Sequence, residues 1–295
     1  TISSSLNGHL FGKDSITSDF DGDIFSGHSL YFSLEGWKKN RALTLLYAER
    51  SPTFRVDNGY IDFNDRRQIV VTTGTMLYPN NNTFETLSFW FGTGRVFSFD
   101  WTQLTDWIYL SHSGQMKGQL GYGITLFAED EFYKNILFED NYSLEISFEK
   151  SLSKSIRFDI KPKFGTEIIR VDAPYQARNT GIALGIELKP SDEFKLNFRM
   201  DQSKSIRFEN DEVVYSDMIA RARFEYQAIT FLNFRLVAQY HRYYNTFDIQ
   251  PLISYQPGPF SIFYFGTSRS YDTSFPGWKE SYGQIYLKVQ KLFSF

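Results

Sequence analysis

The chain has 295 residues, enough for one large all-β domain, and no cysteine, so disulfides are no part of its design. With 31 basic and 34 acidic residues it carries a net charge of -3, which offers no field suited to nucleic acid. Mean hydropathy is -0.35 and no run approaches about 18 apolar residues, so a transmembrane helix is excluded.

A membrane β-barrel is not excluded. Its strands alternate lipid-facing and lumen-facing side chains, which keeps average hydropathy low. An aromatic content of 18%, with 30 Phe and 19 Tyr, fits that pattern. A single domain over residues 1–295 is expected, and a first residue that is not methionine suits a processed chain or a piece of a longer one.

Alternation with period two, broken by turn residues, predicts the strands in order. Ile2–Leu10 reads as a first, weak strand, followed by an Asp/Ser/Gly-rich loop at 12–27. Leu30, Phe32 and Leu34 mark a second strand and Leu43, Leu45 and Tyr47 a third, with a tight turn at Trp37–Asn40 between them. Ser51–Arg67 reads as a polar connection, Gln68–Tyr78 as a strand, and Phe84 to about Trp101 as a longer one. A loop through Thr105 and Ser113 is expected, then a strand at Met116–Phe127 and a short one at 132–139.

From Tyr142 onward the alternation sharpens. Strands are expected around Tyr142–Phe148, Ile156–Phe164, Ile182–Leu188, Leu196–Met200, Met218–Tyr226, Leu232–Tyr240, Ile249–Tyr255 and Phe260–Tyr271, with a last one from Tyr282 to Phe295. The total is about sixteen. Leu144, Phe158, Ile186, Phe198, Phe224, Leu236 and Val289 fall on the apolar face, and Glu145, Arg157, Lys161, Arg199, Arg221, Arg223 and Arg235 on the other. Buried charges must be paired or hydrated, so a dry sandwich core cannot hold that second face, whereas a lumen filled by water or an internal plug can. The sequence thus predicts an all-β, transmembrane, antiparallel up-and-down β-barrel, or the C-terminal part of a larger one.

Short connections are expected at 37–41, 79–83, 151–155, 190–193, 227–230 and 256–259, and longer ones at 12–27, 51–66, 100–113, 170–180, 209–215 and 272–279. Barrels of the bacterial outer membrane pair short periplasmic turns with longer outer loops. Counting back from the last strand puts the Phe295 carboxylate in the periplasm and the Ser51–Arg67 and Ala173–Thr180 connections outside.

The final strand is long and ends on phenylalanine, which resembles the assembly signal of outer-membrane barrels. Leu292, Phe293 and Phe295 are its expected core, and the barrel assembly machinery the expected partner. Four stretches carry a further resemblance: Arg50-Ser-Pro-Thr-Phe-Arg-Val-Asp-Asn-Gly-Tyr-Ile61, Leu236-Val-Ala-Gln-Tyr240, Leu252-Ile-Ser-Tyr-Gln-Pro-Gly258, and that last strand. Together they resemble the C-terminal barrel, a domain of unknown function, of Bacteroidota outer-membrane proteins that begin with a carbohydrate-binding-family-9-like domain. The resemblance implies an outer-membrane location and a glycan ligand as a partner. It brings no catalytic residues.

His9, His28, His112 and His241 show no metal-ligand spacing, and no metal or other cofactor is expected. Asp19-Phe-Asp-Gly-Asp23 lacks the closing Glu of a calcium loop and reads as an exposed turn. No Gly-x-Ser-x-Gly elbow occurs; a hydrolase built on His241 and the serines stays the weaker reading beside a solvated histidine. The expected function is non-enzymatic: a conduit or membrane platform linked to glycan capture or uptake. The alternative is a plugged interaction subunit of a larger outer-membrane complex, with partner proteins in the outer membrane.

Overall fold

The computed structural model describes residues 26–54 and 63–291. Every regular element in them is a strand: Ser29–Lys38 (β1), Arg41–Arg50 (β2), Arg66–Leu77 (β3), Phe84–Phe97 (β4), Gln103–Met116 (β5), Leu120–Tyr133 (β6), Ile136–Ser153 (β7), Ile156–Ile169 (β8), Tyr175–Leu188 (β9), Phe194–Arg207 (β10), Val213–Ile229 (β11), Leu232–His241 (β12), Thr246–Gly258 (β13), Ser261–Asp272 (β14) and Lys279–Lys291 (β15). Their order in one sheet is their order in the chain, up and down, each antiparallel to the next. The fold is therefore all-β with the predicted meander topology.

Fifteen strands are described where about sixteen were expected. The expected strand Ile2–Leu10, nearly all of the loop at 12–27, the middle of the Ser51–Arg67 connection and the residues Leu292, Phe293 and Phe295 lie outside the described residues. Within them, several expectations are corrected, among them the strand expected from Met116, which begins at Leu120 because Met116 closes the strand before it. Gln103–Met116 is a strand, not a loop, and the expected long strand before it stops at Phe97. Residues 132–139 hold no separate strand: β6 and β7 meet at a two-residue turn where Lys134 and Asn135 have φ of 48° and 62°, the left-handed pair that a tight hairpin needs.

The missed strand has a physical cause. Trp107 and Tyr109 alternate with Ile108 and Leu110, so both faces of β5 are apolar and the period-two signal vanishes. The indole and phenol are drawn to one face by glycines on β4. A Cβ at Gly94 would lie 2.5 Å from Trp107 Cε2, and one at Gly92 would lie 2.2 Å from Tyr109 Cε1. The rings occupy the space a side chain would fill, a device that restores packing over strand glycines.

The described chain divides into two compact units. The first takes the described part of Thr1–Lys117 with Gly123–Glu145 and Gly165–Ala177. Residues directly opposite across antiparallel strands share a face, and here like meets like. Leu34, Leu45, Val71, Thr93 and Ile108 stand in one row across β1–β5, and Gly36, Leu43, Thr73, Phe91 and Leu110 in another. Ile69, Phe89, Ile108 and Leu110 are exposed on that face. Charges bound it. At one end Glu49 pairs with Arg67 at 3.1 Å, and Arg95 grips Asp106 through Nε and Nη2 at 2.6 and 2.5 Å. Lys38 and Arg41 stand opposite each other at the other end.

The second unit takes Gly118–Tyr122, Ile146–Phe164 and the described part of Arg178–Phe295. Phe194, Tyr226, Phe234, Ile253, Phe265 and Leu287 form one unbroken apolar row across β10–β15. Among the described residues the buried apolar side chains are few: Ala42, Val96, Tyr133, Phe138, Ala177, Val237 and Leu252. Such a core is too small to offset the entropy of ordering fifteen strands in water. The large apolar side chains stand on the exposed face instead.

The expected alternation of short and long connections holds only in part: 78–83 is longer than 98–102, 134–135 is a two-residue turn, and 170–174, 189–193 and 208–212 are equal in length. The connections at 39–40, 78–83, 117–119, 154–155, 189–193, 230–231 and 259–260 share one end of the strands; those at 51–65, 98–102, 134–135, 170–174, 208–212, 242–245 and 273–278 share the other. The longest is in the second set, although the expected loops at 100–113 and 170–180 shrink because β5 and β9 begin early. Asn179, expected in an outer connection, is instead buried within β9 and donates to Ser203 Oγ and Ser205 Oγ at 3.2 Å each. In the 98–102 loop the Asp100 carboxyl is held below its usual pKa by the Ser98 hydroxyl and the Thr102 amide. Gly94→Ala is expected to cost about 1–3 kcal/mol by overpacking against Trp107, and Trp107→Leu in the same chain to recover most of it, as urea unfolding of the single and double variants will measure.

Candidate functional site on the polar face

Opposite the apolar rows, the second unit presents a lattice of charge. Strand pairing fixes it. Lys195, Glu225, Arg235 and Leu252 form one row across β10–β13, Asn197, Arg223, Val237 and Gln250 the next, and Arg199, Arg221, Gln239 and Asp248 a third. Arg199, Arg221, Arg223 and Arg235 thus share one face, the face that the parity of their strands predicts. Phe198, Phe224, Leu236 and Val289 share the other.

The ion pairs run along strands as much as across them. Arg199 Nε lies 3.2 Å from Asp201, and Arg223 contacts Glu225, in both cases two residues on in the same strand. Lys195 reaches Glu187 at 2.9 Å and Arg157 reaches Glu149 at 2.7 Å. Glu145 and Lys161 are exposed. Both signs are interleaved, and the pairs are partly exposed, so each contributes little to stability by itself. Arg235 departs from this pattern: its Nε is buried without a hydrogen-bond partner.

His241 is bound rather than free. Its Nε2 lies 2.7 Å from Asp217 Oδ2, and its ring meets Tyr244 edge-on at 4.6 Å. Asp217, buried in β11, also accepts from the Tyr243 amide at 3.0 Å and the Tyr215 hydroxyl at 3.3 Å. The carboxylate therefore fastens the β12–β13 turn, and the imidazole completes that fastening. This favours the structural role for His241 over a nucleophile's base. Among the described residues no group of His, Asp and Glu is arranged to hold a metal ion. His9 and the Asp19–Asp23 turn lie outside them.

The first unit's second face is aromatic, a lining for which no expectation was drawn from the sequence. Trp37 meets Trp90 at 6.1 Å, and Trp107 stacks on Tyr109 at 6.0 Å and on Phe127 at 6.4 Å. Trp90 Nε1 donates to Ser88 Oγ at 2.7 Å, and Ser111 Oγ lies 2.9 Å from Thr125 Oγ1. The signal that finds Trp90, Trp107 and Tyr109 is the pairing of each ring with a glycine on the neighbouring strand. Two grooves open on this unit's apolar face instead. One, of about 490 Å³, is lined by Phe89, Leu110, His112 and Leu126; the other, of about 520 Å³, by Ile69, Val71, Ile108 and the Arg95–Asp106 pair.

No family model matches the chain, and no curated protein matches it. Among solved structures it is similar to the toluene transporter TbuX of Ralstonia pickettii, at 12% identity and a TM-score of 0.31, over 90% of this chain and 81% of that one. It is also similar to the CymD monoaromatic hydrocarbon channel, at 12% identity and a TM-score of 0.29, over 92% and 86% of the two chains.

Replacing Asp217 with Ala leaves His241 and the Tyr243 amide without their acceptor. A loss of about 1–3 kcal/mol is expected, read as a lower urea midpoint, with a smaller loss for His241→Gln.

Proposed function

We propose that the chain is an outer-membrane β-barrel serving as a passive conduit or membrane platform, with no enzyme site. The observation that carries this reading is the segregation of the two faces in register: unbroken apolar rows exposed on one side, mixed charge and polar side chains on the other. A water-soluble monomer rarely exposes contiguous apolar surface beyond a few hundred Å². Lipid is the solvent that makes such rows favourable, and a strand meander satisfies the backbone groups of its inner strands between neighbours, as a spanning structure requires. A strand of 14 residues, such as β4, is long enough: at roughly 3.3 Å per residue and a tilt of about 45° it rises about 33 Å, the depth of a hydrocarbon core.

Interleaved charges on the inner face suit a wide, weakly selective path, because ion selectivity is usually built from rings of one sign. The link to glycan capture or uptake rests on the resemblance of Arg50–Ile61 and the other three stretches to the Bacteroidota barrels. Leu292, Phe293 and Phe295 are the proposed recognition element for the assembly machinery. One observation favours the second reading, an interaction subunit of a larger outer-membrane complex. All ten residues of β1 and twelve of the thirteen in β15 are exposed, and strands left open in lipid need a partner.

Planar-bilayer recordings of the purified protein discriminate the two: stable ohmic channels are expected for a conduit, while a silent bilayer with co-purifying outer-membrane proteins selects the complex. The face assignment has its own test. Phe198→Arg is expected to cost about 2–4 kcal/mol in lipid vesicles and Arg199→Ser far less; equal losses would exchange or abolish the faces. Single cysteines at Glu209 and Ser274 are expected to label in intact cells, and those at Asn81 and Ser191 only after the outer membrane is opened; the reverse pattern inverts the topology.

A further inference from the structure

Arg221 occupies an unfavourable position unless something else is bound there. Its four nearest positions on the same face are Arg199 and Gln239 directly across, and Ile219 and Arg223 two residues away along β11. Two of these are arginines and none is acidic. Like charges directly opposite on a sheet destabilise it. The carboxylates that might relieve the repulsion are already engaged: Asp201 by Arg199 at 3.2 Å, and Glu225 by Arg223. Asp248 stands beyond Gln239, two strands or roughly 10 Å away.

Arg235 makes the same point independently. The residue directly across from it is Glu225, the carboxylate that Arg223 holds. The Nε of Arg235 is left buried and without a hydrogen-bond partner. A buried donor in that condition costs stability until it meets a water or an ion. Taking Lys195 with Glu187, Arg199 with Asp201 and Arg223 with Glu225 as neutral pairs, the patch retains two positive charges, on Arg221 and Arg235.

We propose that this patch of β10–β12 binds a small oxyanion, a phosphate or carboxylate group on a solute, with Arg221 as its principal ligand. Guanidinium groups suit such anions because their planar forks donate two parallel hydrogen bonds. The Gln239 amide, directly across from Arg221, adds an uncharged donor; Arg235, opposite Glu225 and two rows away, adds positive potential to the patch and not a contact to the same anion. The anion comes from the aqueous side and not from a lipid headgroup, because these side chains leave the sheet opposite the apolar rows. The site needs no open channel, so a silent bilayer leaves it standing.

The test is equilibrium dialysis of radiolabelled inorganic phosphate against the full chain folded in detergent, at constant ionic strength set with sodium chloride. Saturable binding near one phosphate per chain is expected, weakened at least tenfold in Arg221→Gln and unchanged in Lys288→Gln, a cation on the same face but in another row. In phosphate-free buffer Arg221→Gln is expected to melt at or above the wild-type temperature, because it removes a repulsion. The proposal is overturned if the wild type shows no saturable binding, if Arg221→Gln binds like the wild type, or if Arg221→Gln melts lower or fails to fold, since Arg221 would then already have its partner within the protein.

Discussion

The register of the strand pairs is the constraint on which everything else in this protein depends. Because side chains alternate with period two, a slip by one residue between neighbours would carry a whole strand's apolar set to the opposite face. The row Phe194, Tyr226, Phe234, Ile253, Phe265, Leu287 exists only because five successive pairings hold their alignment. Two of those alignments, β10 with β11 and β11 with β12, collect the arginines into a patch. Face and site are one outcome of one set of backbone hydrogen bonds. With so few buried apolar side chains, no jigsaw core is present to correct an error in that alignment.

Much of this was legible in the sequence, and the physical reason is simple. Where a strand has one apolar and one polar face, parity alone assigns every side chain, as in Leu232–His241 with Leu236 against Arg235. Where both faces are apolar, as at Trp107-Ile-Tyr-Leu110, the period disappears and β5 read as a loop. The turn at Lys134–Asn135 was hidden for a different reason: it carries no glycine, and only the backbone angles show the left-handed pair. The site was legible only in part. Parity places Arg199, Arg221, Arg223 and Arg235 together, but which carboxylate each one holds depends on register and on side-chain reach. Arg223 takes the glutamate two residues along its own strand, and that choice leaves Arg235 short of a partner.

The two units solve the polar face differently. In the second, charges of both signs neutralise one another in short-range pairs, with the exception around Arg221. In the first, the rings of Trp90, Trp107 and Tyr109 take the space above strand glycines, and Ser88 accepts from the Trp90 indole. His241, the residue that most resembled catalytic equipment in the sequence, is used to hold a turn.

The charged boundaries of the first unit's apolar face also act as a ruler. On β2 the apolar stretch lies between Arg41 and Glu49, eight steps or roughly 27 Å along the strand, which at a tilt of about 45° is about 19 Å of depth. Bilayers differ in hydrocarbon thickness, and a mismatch costs a fraction of a kcal/mol for each ångström. On the proposed membrane reading this chain is matched to a thin bilayer. In a thicker one the Arg95–Asp106 pair would be drawn below the interface, and the lipid would have to thin around the protein. Bacterial outer membranes are thinner than average, and on that reading the spacing of a few charges along one strand sets the bilayer that suits the protein.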